Sequence, residues 1–317
     1  MSATTLRLNS TNVRRSIGIA WWRVSLGLKA AFAPSKAVDT AARLFTTPPT
    51  FAHSACELEF LASGTRLQVP TPFGAIAAWR FGRQDRPVVL LSHGWGGRGT
   101  QLRSFVPALI AAGYQPVAFD HLGHGFSESD ESTLVHFEQG LDAVARHLEA
   151  GGGQIAGVIG HSLGAAAAGA WLNRTGRQLR AVLVASPTSL QRYSSFFARK
   201  LGIPETLRSA MQERFERRLG HRWDEFELPQ SVAKVSAQAL VIHDANDKEV
   251  APASGLALAR AWHSAKFLRT RGLGHRLILR DASVVADAVD FIADRVQFAP
   301  PPRRGEASAY FAPAPLI

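Results

Sequence analysis

The stretch that decides the fold reads Ala156-Gly157-Val158-Ile159-Gly160-His161-Ser162-Leu163-Gly164 and continues through Ala165 to Ala168. A short apolar run leads into Gly-x-Ser-x-Gly, and small residues suited to a helix lead out. This is the sequence form of a strand, sharp turn and helix, a nucleophile elbow. The serine sits on a strained turn with its hydroxyl exposed, and the flanking glycines let strand and helix approach closely. A glycine-rich turn with an incidental serine would share the pattern, so the rest of the chain has to supply the context.

Outward from this point, strands and helices alternate. Apolar runs predict strands over 88–92, 116–119, 155–159, 181–185, 239–243 and 266–270. Leu102, Phe105, Val106 and Leu109 predict one helix, closed by Gly113, and Leu134, Phe137, Leu141, Val144 and Leu148 form the stripe of a longer one. Such alternation predicts an α/β fold: a mostly parallel sheet with helices on both faces. Ahead of it, 57–62, 66–70 and 75–81 read as an antiparallel start, with Thr71-Pro72-Phe73-Gly74 as a turn.

The 52 residues 187–238 show no strand pattern and are too long for an ordinary loop. Leu190, Tyr193 and Phe197 predict one helix there, and Leu207, Met211, Phe215 and Leu219, ended by Gly220, a second. These predict a helical cap over about 188–236, inserted above the carboxyl edge of the sheet. The resulting organisation is an N-terminal basic extension (1–50), one domain over 55–298, and a proline-rich tail (299–317) expected to be disordered. There are no internal repeats.

The net charge of +11 first suggests nucleic acid. Residues 1–50 hold seven Lys or Arg against one acid, Asp39, which is +6 of that total, and the rest lacks the basic and aromatic interleaving that stacks bases. No nucleic-acid partner is expected. The segment 16–33 is interrupted by Arg23 and Lys29, too broken for a membrane span of about 20 apolar residues. As a helix it would set Arg15, Lys29 and Lys36 on one face and Ile17, Trp21, Val24, Leu28 and Ala31 on another. That suits peripheral contact with an anionic membrane surface; packing on its own domain or on a second subunit is the favoured reading. One cysteine, Cys56, excludes an internal disulfide and gives no support for an oxidising compartment, so a cytoplasmic location, peripheral to the membrane at most, is expected. No oligomeric state follows from these patterns.

A serine hydroxyl is a weak nucleophile, and needs a base and a group to orient that base. His275, in Arg271-Gly272-Leu273-Gly274-His275 after the last strand, stands where an imidazole could reach Ser162. The orienting acid should lie on the turn after 239–243, where Asp244, Asp247 and Glu249 crowd together. Asp247, in the middle of the turn, is the preferred acid and Asp244 the alternative. Backbone donors for a developing oxyanion are expected at Leu163, directly after the serine, and at Trp95 in Ser92-His93-Gly94-Trp95-Gly96-Gly97. His93, His121, His124 and His161 have no helix-borne ligand spacing, so no metal or other cofactor is expected.

Together, His93-Gly94-Trp95-Gly96, Asp120-His121-Leu122-Gly123-His124-Gly125-Phe126-Ser127, Gly160-His161-Ser162-Leu163-Gly164, the Asp247 turn and Gly274-His275 resemble the α/β-hydrolase superfamily, in its own order of nucleophile, acid and histidine. Two positions depart from its pattern: Asp244 where such turns often carry glycine, and Ala251 between Val250 and the following proline. The resemblance implies a serine hydrolase acting on a small-molecule acyl substrate, a carboxylic ester or thioester, with Ser162, His275 and Asp247 as its triad. Acyl transfer on the same fold, or a ligand-binding homologue without catalysis, are the alternatives. Asp120 and Ser127 read as turn residues.

Overall fold

The computed structural model describes residues 10–295 and 302, with side-chain environments from residue 20 onward. The expected disordered tail over 299–317 falls outside these residues, apart from Pro302. The chain divides into two compact units, Thr47–Ser189 with Glu225–Ile317, and Met1–Thr46 with Leu190–Asp224.

The larger unit is built on one eight-stranded sheet. Its strands are β1 (Thr65–Val69), β2 (Ile76–Arg80), β3 (Val88–Ser92), β4 (Gln115–Phe119), β5 (Ile155–His161), β6 (Arg180–Val184), β7 (Ala239–Asp244) and β8 (Ala265–Thr270), in the spatial order β1-β2-β4-β3-β5-β6-β7-β8. β1 and β2 pair antiparallel, as do β2 and β4, and every later pairing is parallel. β3, β4 and β7 are buried along their whole length, as continuous apolar strands covered on both faces must be. After β3 the chain moves to one side for β4 and to the other for β5, so the order reverses between β3 and β5. Crevices outside the carboxyl ends at such a reversal are where open α/β sheets bind ligands.

The segment 57–62, expected as a strand, is part of a helix. The smaller unit opens with α1 (Ser10–Phe32) and α2 (Pro34–Thr46), and the larger with this helix, α3 (Ala55–Ala62). Ser54 and Glu57 close a reciprocal capping box: the serine hydroxyl accepts the Glu57 amide, and the glutamate accepts the Ser54 amide at 3.0 Å. Arg98 grips the same carboxylate through two donors, at 2.7 and 2.8 Å. Burial pushes Glu57 up, but the hydrogen bonds from Arg98, Ser54 and Thr100 outweigh it and hold the carboxyl far below its usual range. Helix nucleation there overrides the strand-like alternation of Leu58 and Phe60.

The remaining helices are α4 (Phe105–Ala111), α5 (Leu134–Ala150), α6 (Leu163–Thr175), α7 (Leu190–Leu201), α8 (Glu205–Leu219), α9 (Leu228–Ser231), α10 (Pro252–Ala261), α11 (Gly274–Leu277) and α12 (Ala282–Ile292). α5 and α6 pack together, and the Trp171 indole donates to Asp142 at 2.9 Å across that contact.

The smaller unit joins the N-terminal helices to the helices inserted after β6. α2 packs on α8 and α1 on α7, around a core of Leu26, Ala37, Ala41, Leu201, Leu207, Met211, Phe215 and Trp223. Phe45 meets Phe197, Phe215 and Trp223 at ring separations of 5.1 to 6.0 Å. Asp39 pairs with Arg214, and Arg23 donates to the last carbonyls of α7, Lys200 at 3.1 Å among them. The packed face of α1 is the one bearing Leu26, with Trp22 and Ala30 half-buried beside it, whereas the stripe of Trp21, Val24, Leu28 and Ala31 is exposed. The amphipathic reading of α1 marked one apolar face, and its packing uses another.

Candidate active site

Every candidate residue stands at or just after the carboxyl end of a parallel strand. β5 ends at His161, and Ser162 turns the chain into α6 with φ 51° and ψ −121°, a conformation that a residue with a side chain adopts only under constraint. The constraint comes from both sides. The Ser162 amide donates to the Val184 carbonyl at 2.9 Å, and its carbonyl accepts from Ala165 and Ala166 at 3.0 and 3.1 Å. A Cβ on Gly160 would lie 2.6 Å from the Ala165 Cα, and one on Gly164 would collide with the carbonyl oxygens of Ser92 and His93. Both elbow glycines are therefore required by close backbone approach.

His275 lies in α11, five residues after the end of β8, and is buried. Its Nδ1 donates to Asp247 Oδ2 at 2.7 Å, which places the neutral ring's lone pair on Nε2. Asp247 Oδ1 accepts the amides of Glu249 and Val250 at 2.8 and 2.9 Å. Burial pushes Asp247 up, yet the hydrogen bonds from His243, His275 and Val250 prevail and hold it well below the ordinary carboxylate range. The neighbouring acid has other work. Asp244 Oδ1 accepts the Asn246 amide at 2.9 Å, and Oδ2 accepts the Thr270 hydroxyl at 2.8 Å and the Leu273 amide at 3.1 Å. Of the two candidate acids, Asp247 is brought to the histidine and Asp244 fastens the loop that carries it.

His161 links the elbow to that loop. Its Nε2 donates to the His275 carbonyl at 2.9 Å, with the two rings 4.7 Å apart. Gly94, in the loop after β3, passes so close that a Cβ on it would lie 2.9 Å from the Ser162 Cβ. The amides of Gly94, Gly96 and Gly97 in this loop are taken by Gln101, His124 and the Gly94 carbonyl. Among the described residues the Trp95 amide has no acceptor. Leu163 is the first residue of α6, so its amide has no acceptor within the helix.

Sequence reasoning missed what the histidines do. His93 Nδ1 donates to the Gly94 carbonyl at 2.8 Å while its Nε2 accepts the His121 amide at 2.9 Å, pinning the loop after β3 to the loop after β4. His124 repeats the device, donating to the Leu122 carbonyl at 3.0 Å and accepting the Gly96 amide at 3.1 Å. His121 Nε2 meets the Ser92 hydroxyl at 2.8 Å. Burial holds all of them neutral: His93 and His121 fall well below the usual imidazole value, His124 to about 4 and His161 to about 3. Asp120 completes the set, accepting the Gly99 and Phe126 amides at 2.6 and 2.8 Å, with burial pushing its carboxyl up to about 6. These partners are mostly backbone atoms, which leave no mark in a sequence. His243 was missed as well: it is fully buried, with Nε2 3.3 Å from Asp247 Oδ2 and 3.2 Å from the Val250 carbonyl. Among the described residues no group of His, Cys, Asp or Glu is arranged to hold a metal ion.

A family model described as Hydrolase_4, serine aminopeptidase S33, matches residues 83–221. The esterase Pf2001 of Pyrococcus furiosus is similar in structure, with a TM-score of 0.61 at 17% identity, over 78% of this chain and 98% of that one. The thioesterase domain from the curacin biosynthetic pathway is similar with a TM-score of 0.54 at 17% identity, over 73% of this chain and 99% of its own. No curated protein sequence matches the chain. At such identities what is shared is the fold.

Proposed function

We propose that this chain, an α/β hydrolase by fold, is a serine hydrolase that cleaves a carboxylic ester or thioester through an acyl-enzyme. The observation that carries the proposal is the 2.7 Å bond from His275 Nδ1 to Asp247, which keeps Nε2 unprotonated for the serine's proton. His275 Nε2 takes the proton as Ser162 Oγ adds to the acyl carbonyl. The negative charge that forms on the carbonyl oxygen is received by the amides of Trp95 and Leu163, each contributing roughly 3 kcal/mol. Collapse of this intermediate breaks the bond to the alcohol or thiol, which leaves with the proton from His275. Water then adds to the acyl-enzyme with His275 again as base, releasing the acid and restoring Ser162. An esterase and a thioesterase domain of the same fold support ester and thioester bonds as the substrate class.

The test is covalent labelling with a fluorophosphonate, which reacts with an activated serine. The wild-type protein is expected to label and Ser162→Ala to remain unlabelled with its fold unchanged; a wild type that does not label refutes the proposal.

A further inference from the structure

The chain's charge is segregated. Met1–Thr46 and Leu190–Asp224 together hold fifteen Lys or Arg against five Asp or Glu, a net +10 of the total +11. The larger unit is therefore close to neutral while the small helical unit is strongly basic. Exposed cations on it include Lys36, Arg43, Arg199, Lys200 and Arg217. The ion pairs within the unit, Asp39 with Arg214 for example, leave this net charge unchanged.

The same unit carries an unpartnered apolar face. Trp21, Val24, Leu28 and Phe32 are 60, 65, 57 and 84% exposed, and their spacing of three and four residues puts them on one side of α1, opposite the packed Leu26. Four large apolar side chains in a row are more than the scattered exposure normal on a soluble surface.

We propose that this face of α1 docks on an anionic lipid bilayer, its apolar stripe entering the headgroup region while the basic unit is drawn to the lipid charge. Both features are needed for that surface and each argues against another occupant. A second copy of the chain would bring +10 against +10. A polyanion such as nucleic acid would match the charge but would reward no burial of Val24 and Leu28. Tryptophan at a membrane interface, beside aliphatic side chains and under basic groups, meets both demands. No helix among the described residues is long and apolar enough to cross a membrane, so the contact is peripheral.

The experiment is sedimentation of the full chain with vesicles of phosphatidylcholine alone or mixed with roughly one-third phosphatidylglycerol, at low and high salt. The mixed vesicles are expected to bind about tenfold more tightly than the neutral ones, with the difference lost at high salt. The double variant Leu28→Ser/Phe32→Ser, both residues exposed, is expected to bind about tenfold more weakly with unaltered thermal unfolding. Equal binding to neutral and anionic vesicles overturns the proposal. So does a double variant that binds like the parent, because the contact would then be one of charge alone. A parent that sediments as a dimer, and a double variant that sediments as a monomer, would assign the stripe to a second copy instead.

Discussion

Replacing Asp247 with asparagine alters one atom at the most constrained point of the site. The retained Oδ1 can still accept the Glu249 and Val250 amides at 2.8 and 2.9 Å, so the turn keeps its shape. The new Nδ2 takes the place of the oxygen that His275 Nδ1 reaches at 2.7 Å and that lies 3.3 Å from His243 Nε2. Two N–H groups cannot face each other, so His275 must shift its proton to Nε2, the atom that has to receive the proton of Ser162. Loss of the productive tautomer is worth about 10⁴-fold in kcat, or roughly 5.5 kcal/mol of transition-state stabilisation. Asp244→Asn provides the control. It disturbs the Leu273 and Thr270 bonds to Oδ2, which position the loop at 3.1 and 2.8 Å, and should cost about tenfold. The assay is hydrolysis of a chromogenic ester beside the rate of fluorophosphonate labelling, with thermal unfolding to confirm that both variants fold. If Asp244→Asn falls as far as Asp247→Asn, the assignment of the orienting acid is wrong.

Two further outcomes test the framework around the site. An unfolded histidine titrates near pH 6.5, whereas burial takes His124 to about 4 and His161 to about 3. Below pH 6.5 the unfolded chain therefore binds more protons, and stability falls with pH by up to about 1.4 kcal/mol per unit for each such residue until its folded value is reached. Denaturant midpoints measured from pH 7 to 5 should drop accordingly, and His124→Gln should flatten the slope; a midpoint level over that range contradicts the buried neutral rings. Among the glycines, Gly164→Ala should cost about 3 kcal/mol or more by driving a methyl into the Ser92 and His93 carbonyls. Gly176→Ala has open space and only a φ of 64° to strain, about 1–2 kcal/mol. Thermal unfolding that ranks the two the other way would show that the elbow can relax.

What could be read from the chain was local. Val88–Ser92 was legible as a strand to the residue, because an apolar run buried on both faces needs no partner to identify it. Ser162 was legible because a strained turn of that shape demands glycine on either side. The misreading at 57–62 had a visible remedy, since Ser54 and Glu57 spell the capping box three residues apart, but Leu58 and Phe60 spoke more loudly for a strand. The choice between Asp247 and Asp244 turned on loop geometry, as the two stand only three residues apart at the end of the same strand. The two helices after β6 were legible from their own stripes, but the histidine staples and the joining of those helices to α1 and α2 were out of reach for a different reason: they join atoms far apart in sequence, Asp39 to Arg214 and His161 to His275, and nothing in either segment names the other.

That separation has a consequence for synthesis. α1 and α2 are complete once Thr46 has been added, but the helices that close their core begin only at Leu190, after the 143 residues from Thr47 to Ser189. At a ribosomal rate of about 5–20 residues per second the wait is roughly 7–30 s. Throughout it Leu26, Ala37 and Ala41 lack the α7 and α8 surfaces that bury them. α1 and α2 are thus dependent on a segment made much later, and the nascent chain carries an open apolar surface while β1 to β6 are still being assembled.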